Sequence, residues 1–109
     1  MNPALFIAQR LTAFLLALAV AVHLTTILYA VHGGLSAGEI LARTRGSLAF
    51  LFFYSVFVIA VAIHAPIGLR NVIREWTAWR SRSLDVALVL FSLVLLALGF
   101  RAVFAVYAA

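Results

Sequence analysis

The chain has 109 residues, 67% of them hydrophobic and only 10% charged, with a mean hydropathy of +1.20. That composition excludes a soluble globular domain and marks an integral membrane protein. The formal net charge of +5 comes entirely from arginines at the ends of apolar runs, so lipid head groups and topology account for it and nucleic acid is excluded as a partner.

Apolar runs extend from about Leu5 to Val31, Leu48 to Leu69 and Val86 to Tyr107, predicting three transmembrane helices near 5–31, 48–74 and 85–107. The expectation is an all-α integral membrane fold, one anchor domain over residues 1–109. The start of the first run, Arg10 followed by "LTAFLLALAVAV" with small residues near Ala19 and Ala21, has the look of a signal peptide, but it is read as a retained span. Within that span Gln9, Thr12, Leu16, Ala19, His23 and Thr26 recur at spacings of three and four. They form one stripe, which should face protein and not lipid.

The first connection, "HGGLSAGEILARTRG", opens on a Gly-Gly stop. Ser36 followed by Glu39 has the capping-box spacing, and Leu35 and Ile40 are placed as a hydrophobic staple. A short interfacial helix is expected here. His32, beside the two glycines, reads as a solvated loop residue.

In the second span His64, Gly68, Asn71 and Glu75 share a face, continued by Phe57 and Ala60. Two readings of His64 stand open. An intramembrane imidazole can ligate a metal or heme, and a glycine one turn away leaves room for a flat macrocycle. Equally, it can hydrogen-bond across a helix interface that the glycine allows to close. The same pair of readings applies to His23, which lacks a glycine partner. Pro66 removes one backbone hydrogen bond and frees the Ala62 carbonyl beside this histidine. Arg70 and Arg74 read either as topology markers that snorkel to the interface or, for Arg70, as the partner of a buried anion such as a heme propionate.

The second connection, "REWTAWRSRSLD", carries Trp76 and Trp79, rings that favour the head-group layer. Arg10, Arg70, Arg74, Arg80 and Arg82 fall on one side of the membrane, against Arg43, Arg45 and the deeper Arg101 on the other. The positive-inside rule then puts the N-terminus inside. Because the chain has no cysteine, it holds no disulfide, thiolate metal site or iron–sulfur cluster of its own.

These features resemble the membrane-anchor subunits of succinate:quinone oxidoreductases, respiratory complex II, and of the related fumarate reductases. "HAPIGLR" followed by an acid resembles their second-span pattern, and "QRLTAFLLALAVAVHL" the arginine-led start of their first span. The resemblance covers nearly the whole chain and implies half of a heme-binding helical bundle in the inner (cytoplasmic) membrane. It implies that His64 is an axial ligand of the iron of heme b, with Gly68 against the ring and Arg70 near a propionate. It implies a site for quinone (ubiquinone or menaquinone) at the inner end, from Gln9, Arg10, Thr12, Glu75 and Trp76.

The chain blends features of the two small anchors of that family. Trp76 stands where the smaller anchor has a tyrosine, and its indole N–H remains a donor. Phe6 stands where a serine usually precedes the first-span arginine. The implied partners are the flavoprotein and iron–sulfur subunits and a second small membrane anchor. An alternative is a second copy of this chain, pairing His64 with His64 and His23 with His23 to make two heme sites. Competing classes are a heme-free structural anchor or assembly subunit and half of a small transporter.

Overall fold

The computed structural model describes residues 2–109. Three long helices and one short one follow in chain order: α1 (Pro3–Gly33), α2 (Ala37–Thr44), α3 (Leu48–Trp76) and α4 (Arg82–Tyr107). Each long helix is long and apolar enough to cross a membrane. The helices run slightly beyond the expected spans because their ends are set by caps, whereas the apolar run marks only the part that must avoid water. Asn2 accepts from the Ala4 amide at 2.8 Å, with Pro3 pre-set for the first turn, and Ser47 caps α3 by accepting from Phe50 at 3.2 Å.

The expected interfacial helix is α2. The Ser36 hydroxyl accepts from the Glu39 amide at 3.2 Å and donates to the Glu39 carboxylate at 2.7 Å. This helix is tied to the far end of α4: Thr44 Oγ1 donates to the Val106 carbonyl at 2.9 Å and the Gly46 amide to the Tyr107 carbonyl at 3.0 Å. Gly46 has φ +67, a backbone that favours glycine. Two carbonyls at the end of α4, those of Val106 and Tyr107, are thereby satisfied.

Helix α3 lies between α1 and α4 and packs on both. Three contacts define an antiparallel register with α1: Gln9 beside Gly68, Thr12 beside His64, and His23 beside Tyr54. Three more define it with α4: Arg70 with Asp85, Ala62 with Ser92, and Val58 with Gly99. A β-carbon on Gly99 would stand 2.5 Å from Val58 Cγ1, so the close approach of α3 and α4 requires glycine there. Pro66 sits inside α3 without ending it, and the carbonyl it frees at Ala62 accepts from Ser92 Oγ at 2.6 Å.

The buried core is thin. It consists of Ala60, Ala62, Leu84, Leu88 and Val103 with Pro66, Thr12 and Thr44. Large apolar side chains cover the outside, Phe52 at 74% and Val89 at 59% exposure among them. Such a surface is stable only against lipid or apolar partner helices. The long dimension, 49 Å, matches a bilayer with its head groups.

Candidate functional site

The two predicted stripes meet. On α1 the less exposed positions include Gln9, Thr12, Leu16, Ala19 and His23, while Thr26 is exposed; on α3 they include Phe57, Ala60, His64, Gly68 and Asn71, while Glu75 is exposed. The α1–α3 interface therefore gathers most of the polar residues that periodicity had grouped, because polar side chains are costly against hydrocarbon and are turned toward protein.

At its centre, Thr12 is buried and its Oγ1 lies 3.3 Å from His64 Nδ1. The same hydroxyl back-bonds within α1 to the Ala8 carbonyl at 2.7 Å and the Gln9 carbonyl at 3.2 Å. His64 is half-buried, and among the described residues its Nε2 makes no hydrogen bond. One turn away, a β-carbon on Gly68 would lie 3.3 Å from Gln9 Nε2. The space expected for a macrocycle is thus taken on this side by the Gln9 amide. Gln9 Oε1 is buried with no hydrogen-bond partner, an acceptor that lacks a donor within the described chain.

These observations bear on whether the residues fit a heme. No three His, Cys, Asp or Glu side chains converge among the described residues. A porphyrin brings its own equatorial nitrogens and asks the protein only for an axial ligand, and a half-buried histidine with one free ring nitrogen fits that requirement. The Gly68 notch does not bear on it, because Gln9 fills it.

Arg70 donates from Nε to Asp85 Oδ1 at 3.0 Å. The pair lines a groove of about 350 Å³ with Leu5, Pro66, Leu88 and Ser92, at the end of the bundle where α1 and α4 begin and α3 ends. Arg10 is exposed, its guanidinium 5.7 Å from the centroid of the Phe6 ring. The register sets Arg10 level with Ile67, whereas Glu75 and Trp76 lie beyond Gly68, roughly 12 Å further along at 1.5 Å per residue. Gln9, Arg10 and Thr12 therefore lie at a different level from Glu75 and Trp76, with which the resemblance groups them at the inner end. Glu75 instead borders a polar hollow with Arg70, Asn71, Arg74 and Arg80, and Trp76 is exposed.

His23 is half-buried at a separate depth, roughly 16 Å from Thr12 along the rise of α1. Its Nδ1 is 2.8 Å from the Tyr54 hydroxyl, and its ring stands edge-on to Tyr54 and Phe57. His23 and Tyr54 border a cavity of about 280 Å³ that includes Arg43, Leu35 and Ile40. Arg101, exposed on α4, is at about this level by the α3–α4 register. Tyr54, Asp85 and Ser92 escaped the sequence reading. A signal existed for each, since a hydroxyl or carboxylate in or beside a span needs a partner, but the partner lies on another helix.

A family model described as the succinate dehydrogenase/fumarate reductase transmembrane subunit matches residues 2–105. No curated protein and no solved structure matches the chain. The family match spans all three long helices, and the α1–α3 contact at His64 falls inside it. The chain is a multi-pass membrane protein and belongs to the family of transmembrane subunits of succinate dehydrogenase and fumarate reductase.

Proposed function

We propose that the chain is the heme b-binding membrane anchor of a succinate:quinone oxidoreductase and helps to form the site where quinone is reduced. The observation that carries the reading is the His64–Thr12 contact, which engages one ring nitrogen and leaves Nε2 free within a membrane span. His64 would hold the heme iron through Nε2. When bound, the heme supplies a one-electron redox centre within the membrane. Arg70 uses Nε for Asp85, and its remaining guanidinium N–H donors are those that would meet a propionate.

The second axial ligand would come from a second small membrane anchor or from a second copy of this chain, because His23 is too far along α1 to share one heme with His64. Electrons would arrive from the iron–sulfur subunit docked with the flavoprotein, a role this cysteine-free chain cannot fill. Gln9 and Arg10 would contact the quinone, with Glu75 and Trp76 nearer the aqueous entrance. Thr12, its proton committed to backbone, would support His64 instead. The arginine distribution favours the N-terminus inside, and family membership is the support for the inner (cytoplasmic) membrane.

The purified complex is expected to show the absorption bands of a low-spin b-type heme, and His64→Ala to lose them while the subunits still assemble. A colourless complex with normal succinate-to-quinone activity would establish the competing reading, a heme-free structural anchor in which His64 only packs on Thr12. Arg10→Ala is expected to impair quinone reduction but spare succinate oxidation by a soluble artificial acceptor, which bypasses the membrane. Equal loss of both activities would indicate failed assembly instead.

A further inference from the structure

We infer that Thr12 is a positioning residue that holds His64 as the Nδ1–H tautomer, so that Nε2 carries the lone pair. As a role toward a ligand, this rests on the proposed ligation by His64; as a statement about the tautomer, it stands by itself.

The argument is a count of protons. Thr12 has one hydroxyl hydrogen and three neighbours: the Ala8 carbonyl at 2.7 Å, the Gln9 carbonyl at 3.2 Å and His64 Nδ1 at 3.3 Å. Carbonyl oxygens can only accept. The shortest contact takes the hydrogen, so it points back along α1 and the oxygen turns a lone pair toward the imidazole. The contact with His64 is attractive only if Nδ1 brings the hydrogen. In the other tautomer two lone pairs would face each other across a part-buried contact with the buried Thr12 hydroxyl.

The acceptor is also rigid. Thr12 is β-branched, and its back-bond to Ala8 restricts rotation about χ1. A metal-bound histidine generally donates its other ring N–H to an oxygen acceptor, which fixes the ring and raises the basicity of the ligating nitrogen. Thr12 supplies that acceptor from a neighbouring helix, so docking of α1 on α3 prepares the free nitrogen before any ligand arrives.

The first test needs no heme. The full chain, labelled with ring-¹⁵N histidine and reconstituted in lipid, is examined by ¹⁵N NMR, with the His64 signals assigned by their loss in His64→Gln. Neutral His64 is expected to show a protonated Nδ1 and a bare Nε2. Thr12→Val keeps the shape but removes the acceptor and should shift the population toward Nε2–H, while Thr12→Ser restores the wild-type pattern. A wild-type His64 protonated on Nε2 overturns the inference, as does an unchanged pattern in Thr12→Val.

In the holo complex, Thr12→Val is expected to weaken heme retention by about 10-fold or more and to move the midpoint potential to more positive values, since a less basic ligand favours the oxidised iron less. Thr12→Ser should recover both. Unchanged retention and potential overturn the positioning role. Loss of heme in His64→Ala tests the ligation reading separately, so failure of either can be told from failure of the other.

Discussion

At Ala62 a carbonyl freed by Pro66 lies at the interface of α3 with α4, where an unmatched acceptor is expensive. Ser92 supplies the missing donor at 2.6 Å, which is how a helix-breaking residue is accommodated two residues from His64. Ser92→Ala should destabilise the membrane domain by about 1 kcal/mol, the usual worth of one such bond between membrane helices. The expected result is a lower thermal midpoint of the purified complex in detergent, with Ser92→Thr close to wild type. Gln9 presents the opposite case. Its Oε1 remains without a donor, and a partner helix or a ligand hydroxyl in the assembled complex is the kind of group that would satisfy it.

Between elements, geometry is set by small residues. Gly99 lets Val58 approach, and Gly68 lets the Gln9 amide lie against α3. Gly99→Leu would force α3 and α4 apart and should cost about 1–3 kcal/mol, the range for overpacking a close contact. Gly38 has nothing within 4 Å of an added β-carbon, so Gly38→Ala should leave the thermal midpoint unchanged or raised. A comparable loss in both variants would remove the packing argument. The Arg70–Asp85 bridge is weaker support. Its side chains are 23% and 57% exposed, and partly solvated pairs contribute about 0–1 kcal/mol. Its consequence is chiefly positional, since it turns Arg70 toward α4 and the groove beside Pro66.

For the molecule as a whole, orientation is the open physical choice, and the proposed one rests on the arginine distribution. Beyond Arg74, the connection between α3 and α4 carries Arg80 and α4 opens on Arg82, while the opposite end carries Arg43 and Arg45. With the N-terminus inside, a single cysteine introduced by Ser81→Cys should react with a membrane-impermeant thiol reagent only from the inner side. One introduced by Ala109→Cys should react only from the outer side. The absence of native cysteine makes this labelling unambiguous. The reverse pattern would invert the proposed topology and move the quinone site to the outer face. The thin core and apolar exterior also explain why function is expected only in a complex, where lipid and partner helices cover these faces.

What the sequence by itself determined is the part governed by local periodicity and composition. Apolar runs must span hydrocarbon, stripes at three and four residues must turn toward protein, and Ser36 and Glu39 must begin a short helix. Those rules placed Thr12 and His64 on inward faces, each on its own helix. Only the tertiary structure decided which turns meet. The antiparallel register joins Thr12 to His64, gives the Gly68 notch to Gln9, pairs His23 with Tyr54 and Arg70 with Asp85, and sets Glu75 and Trp76 well beyond Arg10. The physical reason is that register depends on long-range fits such as Val58 against Gly99 and Ser92 against the freed Ala62 carbonyl, between residues far apart in the chain, which no local pattern encodes.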